Sequence, residues 1–424
     1  MNRGATYRFR PYFGRDYGIG IRTDFVEYKL WFVEEEKRMK HITEQVVYIG
    51  VDDRELDLFE GQYIIPNGVS YNSYVILDEK IAIMDMVDHR ADAEWFANLE
   101  QALEGRQPDY LVISHIEPDH SANLSEVLKK YPEIKLVSNA KLFGMLPNFF
   151  EVPVEDRQVV VKENDTLSLG AHTLQFIMAP MVHWPEVMVT YEQKEGILFA
   201  ADAFGKFGAL DTDEDWACEA RRYYFNIVGK YGMPVQALLK KAAALDLRII
   251  CPLHGPILTE NLDYYIGKYQ TWSSYEPEDK GVFIAYASLH GNTAQAANEL
   301  AKLLEEMGEE KVSISDLARE DMAEAVEDAF RYDRLVVAAP TNDAAVMPVM
   351  ADFLKHLEMK AYQNRKVGII ENGSWAPMSG KLMREQLEKM KNVTILEPMV
   401  TIRSTVKAAE REQLKALAKT LMNR

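Results

Sequence analysis

The chain is poor in cysteine and has no long apolar run, and each shortage excludes a class of protein. Only two cysteines, Cys218 and Cys251, occur among 424 residues, and no C-x-x-C pair is present. A disulfide framework, a zinc ribbon and a four-thiolate iron site are therefore excluded. No apolar stretch approaches the roughly 18 residues of a transmembrane helix, so none is predicted. We expect a cytoplasmic protein, since the sequence lacks disulfides and the apolar core of a signal peptide.

Positive charge is also scarce. The 48 Lys and Arg residues are outnumbered by 66 Asp and Glu residues, which gives a formal net charge of −18. An acidic surface repels phosphate backbones and anionic headgroups, so we expect neither nucleic acid nor a membrane as a partner. The hydrophobic share of 47% is sufficient for sizeable cores, and the length suggests two or three domains.

Changes of composition along the chain predict four segments. Residues 1–44 are an N-terminal extension rich in aromatics and arginine; Met39 is a second plausible start, and the status of the extension stays open. Residues 45–273 begin with short β-rich runs and become helical near their end. Residues 274–281 are polar, contain proline and glycine, and are predicted to be a linker. In residues 282–424, strands and helices alternate at the spacing of a doubly wound parallel sheet.

A cluster of imidazoles and carboxylates follows the predicted strand "DYLVISH". The stretch H-x-E-x-D-H runs from His115 to His120. Such groups repel or compete at this spacing unless a cation joins them, so the loop predicts a metal site. His183, Asp202 and His254 each follow a later predicted strand, where loops can converge on a ligand. Histidines that match no ligand position are interpreted as structural or surface residues: His41, His89 and His172.

A second group of polar residues follows the first strand of the C-terminal segment. "SLHGNT", residues 288–293, leads from "VFIAYA" into a predicted helix. Hydroxyl and N–H groups at a helix N-terminus bind anions, and the lack of a P-loop lysine or a G-x-G-x-x-G favours a single phosphate. A capped helix without a ligand is the alternative. "PTNDAAV" and "NGSWAPMSG" follow the third and fourth strands, beside the switch point where doubly wound sheets bind ligands.

Together these motifs resemble the flavodiiron branch of the metallo-β-lactamase fold. The ordered set H-x-E-x-D-H, H, D, H carries the resemblance, as do "SYNSYVI", "HWPEVMVTY", "LFAADAFG", "EARRYYFNI" and "PLHGPI". The likeness covers about residues 45–424 and not the N-terminal extension. It implies an α/β protein: a metallo-β-lactamase-like αββα sandwich over 45–273, followed by a flavodoxin-like doubly wound parallel sheet over 282–424.

The resemblance implies two non-haem iron ions per chain. One iron takes His115, Glu117 and His183, the other takes Asp119, His120 and His254, and Asp202 bridges the two. In some members of the family the residue equivalent to His120 turns away from the metal. Hydrolytic zinc relatives usually have histidine where this chain has Glu117, and mixed imidazole and carboxylate ligands favour iron where redox chemistry is required.

The resemblance also implies bound FMN. Ser288, Asn292 and Thr293 would hold the phosphate, and Trp375, Thr341 and Asn342 would lie beside the ring. The full set of expected FMN contacts is Ser288, His290, Asn292, Thr293, Pro340, Thr341, Asn342, Gly373, Ser374 and Trp375.

The implied activity is that of an oxidoreductase. It would reduce O2 to water, or two NO to N2O and water, with electrons passed through FMN from a separate donor such as rubredoxin. A head-to-tail homodimer or homotetramer and an anaerobic or microaerobic host are expected, and the preferred gas stays open. Two alternatives remain: a zinc-dependent hydrolase fused to a flavodoxin-like docking or regulatory module, and a non-catalytic sensor. Metal content separates the first alternative from the oxidoreductase, and turnover with a reductant separates the second.

Overall fold

The computed structural model describes residues 40–423, and residues 1–39 of the N-terminal extension lie outside them. Up to Ser273 the strands are β1 (Lys40–His41), β2 (Val46–Tyr48), β3 (Val51–Asp53), β4 (Leu58–Phe59), β5 (Tyr63–Ile64), β6 (Val69–Tyr71), β7 (Tyr74–Ile76), β8 (Ala82–Met84), β9 (Tyr110–Val112), β10 (Lys135–Asn139), β11 (Gln158–Val161), β12 (Thr166–Ser168), β13 (Thr173–Met178), β14 (Met188–Glu192), β15 (Ile197–Phe199) and β16 (Ile249–Cys251). The helices are α1 (Asp92–Leu103), α2 (Pro118–Ser121), α3 (Leu124–Lys130), α4 (Ala140–Met145), α5 (Trp216–Tyr223), α6 (Gly232–Ala242) and α7 (Leu262–Ser273).

Two sheets pack against each other in this part of the chain. One has the order β1-β2-β7-β8-β9-β10-β11 and the other β12-β13-β14-β15-β16. Successive side chains of a strand point to opposite faces. Tyr74, Met84, Phe176 and Phe199 therefore share a core between the sheets, where Cys251 is also buried.

The alternate strand residues face the helices. Ile83 and Leu198 belong to one large hydrophobic cluster. The same cluster contains Trp95 of α1, Leu239 of α6 and Tyr269 of α7. Helices thus cover the outer faces of both sheets, and the predicted αββα sandwich is confirmed.

The remaining residues form a parallel sheet with helices on both faces. Its strands are β17 (Asp279–Tyr286), β18 (Val312–Asp316), β19 (Tyr332–Asn342), β20 (Ala345–Val346), β21 (Lys366–Asn372), β22 (Thr394–Ile395) and β23 (Val400–Ile402). Its helices are α8 (Asn292–Glu306), α9 (Met322–Arg331), α10 (Pro348–Met359), α11 (Ser379–Leu387) and α12 (Ala408–Met422). The strand order β18-β17-β19-β21-β22, with β23 also pairing β21, is the 2-1-3-4-5 order of flavodoxins. The predicted doubly wound sheet is confirmed.

Two short elements end where their local chemistry requires it. Glu397 and Pro398 separate β22 from β23, since proline cannot donate a ladder hydrogen bond. Ser121 ends α2, and its hydroxyl donates to the carbonyl of Ile116 at 2.7 Å, while α3 begins at Leu124.

The polar segment predicted as a linker is tightly packed. Strand β17 begins at Asp279, three residues before the predicted start at 282. The buried Tyr275 donates its hydroxyl to the carbonyl of Gly229 at 2.8 Å, and Glu278 accepts from the Arg221 guanidinium at 3.0 Å. The carbonyl of Tyr275 also accepts from the guanidinium of Arg365, just before β21, at 2.7 Å, so the segment contacts both the sandwich and the parallel sheet.

A helical joint fixes the parallel sheet to the sandwich. Five residues of π-helix, Tyr224–Val228, continue α5, and Phe225 stacks on Phe330 of α9 with ring centroids 4.2 Å apart. The buried Arg221 of α5 pairs with the buried Glu327 of α9. Among residues 40–423, no helix is both long enough and apolar enough to cross a bilayer.

Candidate metal and cofactor sites

The candidate metal ligands meet because each lies just beyond the end of a strand. His115 follows β9, His183 follows β13, Asp202 follows β15 and His254 follows β16. The structure brings them into two adjoining groups, in each of which the ligand atoms lie within 4.8 Å of one another. The groups are His115, Glu117, His183 and Asp202, and Asp119, His120 and His254. All seven residues predicted from the sequence are thus gathered at one end of the sandwich.

Asp202 lies between the two groups. Its Oδ2 atom is 3.5 Å from the Nε2 atoms of both His115 and His183. Its Oδ1 atom is 3.3 Å from Nε2 of His120 and 3.6 Å from Nε2 of His254. One carboxylate therefore presents one oxygen to each group, which is the arrangement of a ligand that bridges two ions.

The donor atoms are too crowded to be satisfied by one another. The Nε2 atoms of His120 and His254 are only 3.1 Å apart, and each lies 3.3 Å from Oδ2 of Asp119. In the other group, Oε2 of Glu117 is 3.0 Å from Nε2 of His115 and 3.2 Å from Nε2 of His183. Imidazole lone pairs and carboxylates at such distances fit cations held between them.

The electrostatic field of the site also favours cations. Burial lowers the pKa of His120, but the charges of Asp119 and Asp202 outweigh it and raise that pKa to about 9. Burial raises the pKa of Glu117, and hydrogen bonds from His115 and His183 bring it down to about 2. Without metal, protons on His115 and His120, whose pKa values are both raised, offset the carboxylate charges, and bound metal ions can take their place.

The outer nitrogens of two candidate ligands are held by protein oxygens. Nδ1 of His115 lies 2.9 Å from Oε1 of Glu186, which also accepts from the N–H of Ile116 at 3.2 Å. Nδ1 of His254 lies 2.8 Å from the carbonyl of Ser70. Such partners fix the ring orientation and leave Nε2 for the metal. Glu186 was missed in the sequence, although it lies three residues after His183, because an outer carboxylate has no fixed spacing from the histidine it orients.

A cavity of about 250 Å³ opens onto the candidate metal centre. Glu117 and Asp119 line it together with Phe59, Glu60 and Tyr71. In the group that contains Glu117, the indole of Trp184 meets the His115 ring edge-on at 5.0 Å between centroids, as a wall of the site. A small molecule has room to reach the carboxylate face of the two groups.

The predicted FMN residues gather around a second cavity of about 320 Å³ at the carboxyl ends of the parallel strands. Nine of the ten line it: Ser288, His290, Asn292, Thr293, Pro340, Thr341, Gly373, Ser374 and Trp375. Asn342 is not among the lining residues. It pairs with Ala345 in the short β19–β20 hairpin, and the turn residues Asp343 and Ala344 line the cavity instead.

One end of this cavity suits a phosphate. Gly291 precedes α8 with a φ of 83°, and its N–H donates to the hydroxyl of Ser288 at 3.1 Å. Asn292 and the buried Thr293 open a 15-residue helix, whose first N–H groups and dipole favour an anion.

The other end has the surface expected for a flat ring. Trp375 is 89% exposed at the rim. The hydroxyl of Thr341 accepts from the N–H groups of Met378 and Ser379 at 2.8 and 3.0 Å, which draws the loops after β19 and β21 together. Ser404, which follows β23, also lines the cavity; it was missed because only the loops after the first, third and fourth strands were predicted to bind the ligand.

Comparisons with known proteins agree with this geometry. The model of the ODP family of beta lactamases matches residues 69–255. An anaerobic nitric oxide reductase flavorubredoxin from Aliivibrio fischeri is 30% identical over 347 residues, covering 79% of this chain and 70% of the relative. One from Vibrio vulnificus is 29% identical over the same length.

Solved structures extend the likeness over both halves. The rubredoxin oxygen:oxidoreductase from the anaerobe Desulfovibrio gigas superposes with a TM-score of 0.84 at 26% identity, covering 91% of this chain and 98% of that one. A flavodiiron protein from Giardia intestinalis, at 22% identity and a TM-score of 0.81, shares the fold.

Proposed function

Because this chain belongs to the flavodiiron protein family and is an oxidoreductase, we propose that it reduces O2, NO or both at a pair of iron ions, with electrons delivered through FMN. The observation that carries this proposal is the position of Asp202, whose two oxygens face two separate sets of imidazole and carboxylate donors. A single-metal site would not need such a carboxylate.

The proposed ligand sets follow the two groups. His115, Glu117 and His183 would hold one ion, Asp119, His120 and His254 the other, and Asp202 both. When bound, adjacent irons supply electrons to a small oxidant and FMN passes them on singly or in pairs. Glu186 and the Ser70 carbonyl keep their histidines in one tautomer, with Nε2 turned to the metal.

The carboxylates and aromatic residues at the cavity mouth control what reaches the metal. Glu117 and Asp119 present negative charge there, which disfavours anionic substrates and leaves small neutral gases unaffected. Phe59 and Tyr71 line the same opening, and each meets the His254 ring edge-on, at 5.3 and 5.9 Å between centroids. These contacts support a neutral diatomic substrate.

The second cavity would hold FMN with its phosphate at the start of α8. Ser288, Asn292 and Thr293 would bind the phosphate, and Trp375 would cover the ring. The exposure of Trp375 supports electron entry from a separate protein, of which rubredoxin is the proposed example. The two cavities share no lining residue, which supports transfer between subunits of a head-to-tail homodimer or homotetramer.

The test is parallel consumption of O2 and NO by the iron- and FMN-loaded chain, with a reduced rubredoxin system as donor. We expect two irons and one FMN per chain and consumption of at least one gas, with the ratio of rates giving the preference. Asp202→Asn should abolish consumption, and Asp246→Asn, a surface change, should not. A fully loaded sample that consumes neither gas would contradict the proposal, and zinc in place of iron would favour a hydrolase.

A further inference from the structure

A third cluster of metal-binding side chains lies at the opposite end of the sandwich from the candidate iron centre. His172, Glu192 and Glu195 carry ligand atoms that lie within 4.8 Å of one another. His172 immediately precedes β13 and Glu192 ends β14. The iron-site residues His183 and Glu186 come after β13 and before β14, so the same two strands separate the clusters.

The ring of His172 is fixed with one nitrogen free. Its side chain is fully buried, and Nδ1 lies 2.8 Å from Oδ2 of Asp78. The same carboxylate oxygen accepts the backbone N–H of His172 at 2.7 Å. Nε2 is buried and has no hydrogen-bond partner. A carboxylate on Nδ1 is the usual support of a histidine that binds metal through Nε2.

The two glutamates bring negative charge close to the free nitrogen of His172. Glu192 is fully buried, and its carboxylate accepts the N–H groups of Lys194 and Glu195, each at 2.8 Å. Glu195 is partly buried, and its Oε2 atom is buried without a hydrogen-bond partner. Within the described residues, the ammonium group of the neighbouring Lys194 donates to Gln45 rather than to either glutamate. A buried carboxylate is costly unless a cation joins it.

We propose that His172 Nε2, Glu192 and Glu195 bind a third metal ion, a divalent transition metal of the zinc type. One imidazole and two carboxylates, with water as a fourth ligand, form a set that Zn²⁺ accepts. The ion would join the β14–β15 turn to the start of β13 and, through Asp78, to the β7–β8 turn. It would act as a structural clamp, and the inference is independent of the chemistry proposed for the iron centre.

The rival arrangement is a doubly protonated His172 between Asp78 and the glutamates, with no metal. Glu195→Gln separates the two, because it removes one ligand charge and leaves the hydrogen bonds of Glu192 and Asp78 intact. Glu192→Gln is less suitable, since it would disturb the β14–β15 turn. His172→Ala is a second variant that removes the free nitrogen. His89→Ala is the matched control, since His89 is exposed and distant from the cluster in sequence.

The experiment adds Zn²⁺ to the iron- and FMN-loaded chain and measures iron and zinc per chain after gel filtration. We expect one zinc without loss of iron in the native chain and in His89→Ala, and none in Glu195→Gln or His172→Ala. Zinc should also raise the melting temperature of the native chain and leave that of Glu195→Gln unchanged. This comparison tests the site even if His172→Ala does not fold. Equal zinc in the native chain and Glu195→Gln, zinc gained only as iron is lost, or no zinc bound would overturn the proposal.

Discussion

The carboxylate behind His115 provides a graded test of how the candidate iron site is built. Burial raises the pKa of Glu186, but the hydrogen bond and charge of His115 lower it overall, so the group is ionised at neutral pH. Oε1 of Glu186 accepts from both His115 Nδ1 and the N–H of Ile116, and Oε2 is buried without a partner. In Glu186→Gln, the amide oxygen can keep both hydrogen bonds, while the charge is lost and an NH2 group takes the place of the unpartnered Oε2.

The structure sets the size of the expected effects. A hydrogen bond to a charged group contributes about 1.5–3 kcal/mol of free energy, and a hydrogen bond between neutral groups about 0.5–1.5 kcal/mol. Glu186→Gln should therefore weaken the binding free energy of iron by about 1–1.5 kcal/mol, which is roughly 5- to 10-fold in iron affinity. Glu186→Ala also leaves two buried donors without acceptors, so we expect the iron affinity to fall by about 100-fold.

Anaerobic competition for Fe²⁺ between the chain and a chelator measures these affinities directly. Glu126→Gln is the control, since Glu126 is exposed and pairs only with Lys129 on the surface of α3. Circular dichroism should show each variant folded. Native affinity in both Glu186 variants, or a weaker site in the Gln variant than in the Ala variant, would refute the role given to this carboxylate.

Three further predictions concern the second cavity, the joint and the end of β3. Ser288→Ala should weaken FMN binding by about 5- to 10-fold through loss of one phosphate hydrogen bond, whereas Asn342→Ala should leave FMN binding unchanged. Fluorescence titration with FMN measures both affinities, and equal losses in the two variants would count against the proposed position of the phosphate beside Ser288. Arg221→Met should lower the free energy of unfolding in urea by about 3–5 kcal/mol, because Glu327 stays buried without its partner. A decrease of less than about 1 kcal/mol would contradict the stabilising role of this ion pair. Asp53→Asn should cost about 1 kcal/mol at neutral pH, since Asp53 accepts from Arg90 at 2.9 Å. Burial raises the pKa of Asp53, but the hydrogen bonds from Arg90 and two N–H groups lower it overall. The contribution of Asp53 to the free energy of unfolding is therefore present above about pH 4 and is lost as the pH falls further. The urea midpoints of the native chain and of Asp53→Asn should then converge at low pH, and a difference between the midpoints that does not change with pH would disprove this.

The candidate ligands could be predicted from the sequence because each occupies a strand end. The hydrophobic pattern and the length of a run such as "DYLVISH" predict a buried strand, and a polar residue at its end must lie where the strands of the sheet end. His115, His183, Asp202 and His254 all satisfy this rule. The parallel sheet was predictable for the same reason, since its strands and helices alternate regularly.

Residues whose role depends on a distant partner could not be predicted. Glu186 acts through a ring 71 positions away, and Ser404 reaches the second cavity because β23 pairs with β21, where the N–H of Ser404 donates to Oδ1 of Asn372 at 3.0 Å. Asn342 has the right type and position in sequence, but two residues with positive φ, Asp343 and Ala344, turn the chain back and hold it in a hairpin. In each case long-range pairing decides which atoms face the cavity.

The central claim is that one carboxylate, Asp202, joins two metal ions of the same kind. Mössbauer spectroscopy of the chain loaded with ⁵⁷Fe tests it most directly, because bridged irons couple magnetically and isolated irons do not. We predict two irons per chain in a coupled pair, and uncoupled irons in Asp202→Asn. A single iron per chain, or two irons that show no coupling in the native protein, would contradict the account.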